Sequence, residues 1–308
     1  MKTVRIGTRA SKLALAQSGE VARALKKRHP RFRFELVKIK TAGDEFKSVH
    51  LFKKNGIGVF TKEIERCLLG GSVDIAVHSM KDLPTKLARG LMLAAVPKRA
   101  SVADALICRR GDTLDSLPVG AKVGTGSPRR KRQLALLRPD LRLIDLRGNL
   151  DTRVSKVLNE KTLDGVVVAR AGLERLKRFK RSWKEIDPGI FLPAVGQGAL
   201  AIQVRKKDTA MRKLAGALNH KETELLTAVE REFLNRLGGG CRVPVGILSK
   251  KIGSRVRLKA AVFSVNSGSF IEAMIERPWK KALEAARILA DGLLKQGARR
   301  FLREARSV

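Results

Sequence analysis

Tyrosine is absent from this chain of 308 residues, and aromatic residues amount to 4%. Platforms that stack single-stranded nucleic acid need successive aromatic faces, so that class of function has little to work with. Cysteine is sparse too: Cys67, Cys108 and Cys241 have neither metal-ligand spacing nor the even count of a disulfide framework, and a reducing cytoplasm suits them best. No apolar run approaches the length that spans a bilayer, and the opening MKTVRIGTRASK lacks the apolar segment of a secretory signal. Acidic residues are scarce beside basic ones, 29 against 65, which leaves a net charge of +36 and a pI near 11.1. Such an excess favours polyanionic partners. The cations are dispersed, however, with no zinc-finger spacing and no long basic arm. Most of the excess therefore reads as a solvated surface, and neither nucleic acid nor membrane is expected as a partner.

Hydrophobic residues make up 44% and are spread along the chain, enough for two or three domains with their own cores. The first two hundred residues alternate short apolar runs with helix-like segments. TVRIG at 3–7, RFELVKIK at 33–40, VDIAVHS at 73–79, LMLAAV at 91–96 and DALICRR at 104–110 read as strands. Helices are expected from Ser11 and over 59–71. A second alternation follows: AKVG, a helix from Ser127, LRLIDL, a helix from Asn149, and GVVVAR at 165–170. This is an α/β pattern occurring twice. The last hundred residues differ. An amphipathic helix over 220–237 stops at three glycines, strands flank Asn266-Ser267-Gly268 as a hairpin, and a helix spans about 280–295, which together suggest a smaller α+β domain.

Arginines occupy unusual places. In VGTGSPRRKRQL, Ser127 is a helix N-cap, Pro128 the first helical residue, and Arg129 and Arg130 fall in the first turn. The helix dipole disfavours cations there by about 0.3–1 kcal/mol each. An anion bound at that end would offset the cost, receiving backbone N–H groups and guanidinium forks together. Comparable strand-to-helix junctions hold Arg9 with Ser11, Arg147 with Arg153, and Arg170 with Arg175. The ligand crevice of an open α/β sheet lies outside the carboxyl ends of its strands, where all four clusters fall. Arginine at these places suits planar, bidentate recognition of carboxylate or phosphate, so the expected ligand carries several anionic groups.

Two further groups stand out. AVHSMKDLP at 76–84 leads a buried strand to Lys81 and Asp82, where Asp82 is either a turn aspartate or a catalytic carboxylate among cations. His78 in the same stretch reads as a core histidine in preference to a proton shuttle. Cys67 and Cys108 read as packing residues. Cys241, in LGGGCRVPVG, sits on a bare loop with no histidine within twenty residues, and is open to reading as a covalent tether or as a nucleophile.

Taken together, VHSMKDLP, GTGSPRR, LRGNLDTR, LPAVGQGAL and GGGCRVPVG closely resemble the porphobilinogen deaminase (hydroxymethylbilane synthase) family, in order and over most of the chain. The resemblance implies two periplasmic-binding-protein-like (type II) α/β domains with a cleft between them, plus a smaller C-terminal α+β domain. Residues 1–99 and 199–217 would form the first, 100–198 the second and 218–308 the third. It implies a cytoplasmic, monomeric transferase of tetrapyrrole biosynthesis that needs no metal or nucleotide. Such an enzyme joins four porphobilinogen molecules into hydroxymethylbilane on a dipyrromethane cofactor held by a thioether, here to Cys241. Porphobilinogen loses ammonia to give an electrophilic azafulvene, which the terminal pyrrole attacks. An acid must assist the departing amine and a carboxylate must stabilise the positive pyrrole, roles that fall by match to Asp82. Cofactor contacts fall by match to Ser11, Lys81, Asp82, Thr125, Ser127, Arg129, Arg130 and Arg147, and substrate contacts to Arg9, Gln17, Arg147, Arg153 and Arg175. One departure is Ile57, which stands where the family loop often has lysine. The competing reading is a non-catalytic, two-lobed anion-binding protein, which accounts for the arginine junctions but not for Asp82 or the cysteine loop.

Overall fold

A computed structural model describes residues 2–40, 61–180, 182–238 and 243–307. The chain divides into two compact units, Met1–Ala100 with Ala199–Leu225, and Ser101–Gly198 with Leu226–Val308.

In the first unit β1 (Lys2–Arg9) pairs in parallel with β2 (Phe32–Ile39) and with β3 (Ile75–Ser79). The returning strand β10 (Leu200–Arg205) runs antiparallel between β3 and β4 (Leu91–Ala95), so the sheet order is β2-β1-β3-β10-β4. Helix α1 (Lys12–Arg28) begins where Ser11 Oγ accepts from the Ala14 amide and ends in Lys26, Lys27 and Arg28, whose charges suit a helix C-terminus. Its Val21 and Leu25 share one core with Val4, Ile6, Ile75, Ile202 and Val204. Helix α2 (Lys62–Leu69) adds Ile64 and Leu68 to a second core with Ile39, Val73 and Ala76. With both faces covered, the central strands are apolar runs and not alternating ones.

The second unit repeats this order. Strand β6 (Lys122–Thr125) pairs in parallel with β7 (Arg142–Asp145) and β8 (Gly165–Ala169), and β5 (Asp104–Cys108) lies antiparallel between β8 and β9 (Lys184–Ile186), giving β7-β6-β8-β5-β9. In each sheet the antiparallel strand is the one at a chain crossing: β5 follows residue 100 and β10 follows residue 198. Helices α3 (Pro128–Leu137), α4 (Leu150–Leu158) and α5 (Arg170–Arg175) follow β6, β7 and β8. These are two mixed α/β sheets with the same strand order. The same unit holds the antiparallel meander β11 (Val245–Ile252), β12 (Arg255–Phe263) and β13 (Phe270–Pro278). The hairpin turn is longer than Asn266-Ser267-Gly268 alone: the Ser264 amide closes it by donating to Ser269 O (2.9 Å), and Ser264 Oγ accepts from the Asn266 and Ser267 amides.

Helix α6 (Thr209–Gly216) packs on β4 and β10, and α7 (Lys221–Arg236) follows it. Residues 218–225, expected with the third domain, group with the first unit. Asn219 Oδ1 accepts from the Val96 amide, the His220 amide donates to Val96 O, and Thr223 Oγ1 accepts from the Arg99 amide. Helix α8 (Ala282–Leu293) covers β12 and β13, and α9 (Arg299–Ser307) ends the chain. Among the described residues no helix is long and apolar enough to cross a membrane.

A buried polar chain ties three elements of the first unit. His78 Nε2 on β3 donates to Gln203 Oε1 on β10 (3.0 Å), and Gln203 Nε2 donates to Glu65 Oε1 on α2 (2.8 Å). Burial outweighs the bond to Gln203 and holds the His78 imidazole at about 4, below its ordinary 6.5. The histidine is thus a neutral core residue at neutral pH. Because the folded value is the lower one, its contribution is complete above pH 6.5 and is lost as pH falls towards about 4. Urea midpoints followed across that window should show a loss on the order of 3 kcal/mol that His78→Gln lacks.

Candidate active site

The carboxyl ends of β1 and β3 lie side by side in the first unit, since the two strands are parallel with Ile6 opposite Ile75. Arg9 ends β1, and Ser11 caps the helix that follows. Strand β3 ends at Ser79 and passes into a single 3-10 turn, Met80–Asp82. The turn is pinned twice. Met80 is buried among Leu83, Val96, Ala199 and Ala201, and its amide donates to Ala199 O (3.0 Å). Gln17, reaching from α1, donates through Nε2 to Ser79 Oγ (2.9 Å). Lys81 and Asp82 are left partly exposed on a turn whose backbone has little freedom. Gln17 is itself buried, so its amide steadies the stretch that carries Asp82.

In the second unit Thr125 ends β6, with its hydroxyl oxygen accepting from the Ser127 amide (3.2 Å). Gly126 between them admits no side chain, because a Cβ would stand 2.4 Å from Leu146 O. Ser127 caps α3 and Pro128 opens it, as expected. Arg129 and Arg130 do lie in the first turn, but their forks turn inward. Arg129 Nη2 meets Asp104 Oδ2 (2.8 Å), and Arg130 meets Asp104 Oδ1 through Nη2 (2.7 Å) and Nε (3.1 Å). Asp104 is fully buried and also accepts from Gln197 Nε2 (2.9 Å). The anion that offsets these cations in the fold is therefore a carboxylate of the chain's own β5. Burial opposes its ionisation, yet the two guanidinium groups outweigh it and hold the carboxyl at about 2. Two cations against one anion leave one positive charge in excess, and buried Arg129 Nε has no hydrogen-bond partner among the described residues.

The remaining arginines ring the same sheet edge. Arg147 follows β7 and is exposed. Asn149 caps α4, accepting from the Thr152 amide (2.9 Å), and Arg153 in its first turn donates to Gly148 O (2.9 Å). Arg175 ends α5 and donates to Gly198 O (3.0 Å). Arg170 is different: it pairs with Glu174 and Glu185 and stacks 4.7 Å from the Phe179 ring, a packing role. Cys67 is partly exposed on α2, and burial raises the thiol of Cys108. Cys241 and Ile57 lie outside the described residues. Sequence reasoning missed Asp104, Gln197 and Ser79. An acid opening the otherwise apolar strand DALIC was the one signal that pointed to Asp104.

Two family models match the chain: porphobilinogen deaminase, dipyrromethane cofactor binding domain, over residues 4–213, and porphobilinogen deaminase, C-terminal domain, over 225–295. The chain belongs to the porphobilinogen deaminase family. Relatives include the porphobilinogen deaminases of Syntrophus aciditrophicus (44% identical over 299 residues, 97% of each chain) and Pelotomaculum thermopropionicum (44% over 305 residues, 99% of this chain and 97% of the relative). That of Listeria innocua is 39% identical over 310 residues, covering 100% of this chain and 99% of its own. Membership makes the chain a transferase with a dipyrromethane-binding domain.

The Asp104 cluster generates a stability prediction. Asp104→Ala strands two buried guanidinium groups and should lower the unfolding free energy by about 3–5 kcal/mol, read from urea denaturation. In the unaltered protein the folded carboxyl is the stronger acid, so its contribution persists above about 3.8 and is lost as pH falls towards about 2. An unchanged urea midpoint for the variant would show that the cluster adds nothing to stability.

Proposed function

We propose that this chain builds hydroxymethylbilane from four porphobilinogen molecules with release of ammonia, using Asp82 as its catalytic carboxylate and Cys241 as the thioether anchor of the cofactor. The observation that carries the reading is the doubly pinned Met80–Asp82 turn, which presents a carboxylate beside Arg9 and Ser11 at one sheet edge. When bound, a dipyrromethane supplies the pyrrole carbon to which substrate is joined.

Its acetate and propionate groups call for cations and hydrogen-bond donors. The residues present suit that need: the excess positive charge of the Asp104 cluster, the unfilled Nε of Arg129, the exposed Arg147, and the Ser127–Pro128 helix start. We assign cofactor carboxylates to Ser11, Lys81, Thr125, Ser127, Arg129, Arg130 and Arg147. Substrate carboxylates fall to Arg9, Gln17, Arg147, Arg153 and Arg175. Arg129 and Arg130 act with Asp104 at their backs, so they lend fixed charge and not mobile arms. Asp82 in its protonated form gives its proton to the departing amine, and the carboxylate left behind faces the positive charge that develops on the pyrrole ring. His78, neutral and engaged with Gln203, takes no part. The C-terminal region serves as a third domain carrying the cysteine, and the protein works as a cytoplasmic monomer without nucleic acid or membrane. Nothing favours the non-catalytic binding protein, which would take up porphobilinogen without releasing ammonia.

Intact mass spectrometry of the purified protein should show one dipyrromethane unit above the sequence mass, absent from Cys241→Ser. Active protein with no added mass would overturn the anchor. Asp82→Asn should slow ammonia release at least about 100-fold while the adduct, once formed, stays attached. Normal turnover in that variant would remove Asp82 from the chemistry.

A further inference from the structure

Helix α3 carries another buried polar side chain one turn after Arg129. Gln133 lies on the same side of the helix and is 3% exposed. Its amide grips both main-chain groups of a single residue, 59 positions further along the chain. The Leu192 amide donates to Gln133 Oε1 (2.6 Å), and Gln133 Nε2 donates to Leu192 O (3.1 Å). Arg129 Nη1 donates to that same carbonyl oxygen (2.5 Å). Leu192 O and Asp104 Oδ2 are accordingly the two acceptors that set the plane of the Arg129 guanidinium, whose Cζ lies 5.8 Å from the centre of the Phe191 ring.

The two acceptors are held in different ways. Asp104 opens a strand with neighbours on both sides, β8 and β9, so the sheet itself fixes its place. Leu192 lies on the connection between β9 and β10, outside any strand. Its side chain packs with Leu248, Ala261 and Phe263, but aliphatic packing does not decide the direction of a carbonyl. Gln133 does decide it, because it takes the N–H and the C=O of that residue together, as a strand partner would. Being neutral, the amide leaves the positive excess of the Asp104 cluster untouched. We infer that Gln133 is a positioning residue for cofactor binding: it fixes Leu192 O, and through that oxygen the orientation in which Arg129 meets a cofactor carboxylate. The inference rests on the assignment of Arg129 to a cofactor carboxylate above.

The test uses full-length apoprotein from cells that make no porphobilinogen, mixed with porphobilinogen and followed by intact mass as the adduct forms. Gln133→Met, close in volume but without the amide, should gain its adduct about tenfold more slowly, the size of one hydrogen bond to a charged group. Arg129→Gln should be slowed as well. Adding Gln133→Met to it should slow it little further, because two residues that act through one contact are not additive. Gln133→Glu still accepts from the buried Leu192 amide, which spares the fold. At neutral pH it no longer donates to Leu192 O and should be slowed like Gln133→Met. An unaltered rate in either Gln133 variant overturns the inference. Equal slowing by Gln133→Met with and without Arg129→Gln also overturns it, since the effect then does not pass through Arg129. An unaltered rate in Arg129→Gln removes the carboxylate assignment and this inference with it, whereas equal slowing in the two backgrounds removes this inference alone.

Discussion

A single fully buried carboxylate, Asp104, lets two guanidinium groups stand at the start of a helix where the dipole opposes them. Arg129 and Arg130 reach it from α3, Arg130 also donates to Val167 O on β8 (3.3 Å), and Gln197 reaches it from the segment that leads out of the second sheet. One acid therefore joins a strand, a neighbouring strand, a helix and a connection. Removing one side of such a cluster is far costlier than never having built it, because the groups left behind have no water. The arrangement also leaves positive charge over, set in rigid surroundings at the sheet edge where the hydroxyl oxygens of Thr125 and Ser127 accept from backbone amides. Fixed charge of that kind needs no reorganisation when a carboxylate arrives.

The first unit solves a complementary problem by other means. Asp82 has to be presented and not buried, so its turn is held by what surrounds it. Met80 serves as a hydrophobic peg, and Gln17 grips Ser79 from α1. The polar chain from His78 through Gln203 to Glu65 ties the same strand to β10 and α2 from within. Each of these bonds satisfies a buried polar group that would otherwise destabilise the core. The rigidity of the turn thus follows from ordinary core packing, and the Asp82 carboxylate stays at its open end.

The two α/β sheets reach the same strand order by opposite routes. In one the antiparallel strand is the first to be laid down, and in the other it is the last. The carboxyl ends of the parallel strands consequently collect the loops in both units, and with them most of the arginines proposed above to hold carboxylates. The third sheet is tied down at its start, where the Phe263 amide donates to Pro244 O and the Ile247 amide to Pro193 O.

Much of this was legible in the sequence, because capping and periodicity act over a few residues. Ser11, Ser127 with Pro128, and Asn149 start helices where they were expected, each accepting from an amide three residues on. The recurring α/β pattern and the family motifs could likewise be read along the chain. What the sequence could not show was which distant group each polar side chain would meet. Arg129 lies 25 residues from its carboxylate, Gln17 lies 62 from Ser79, and β10 enters a sheet begun two hundred residues earlier. Those pairings depend on which strands become neighbours and in what register, a choice made by the packing of the whole unit. Local chemistry determined where elements begin and end, and only the tertiary structure decided that the first-turn arginines face an acid of their own chain.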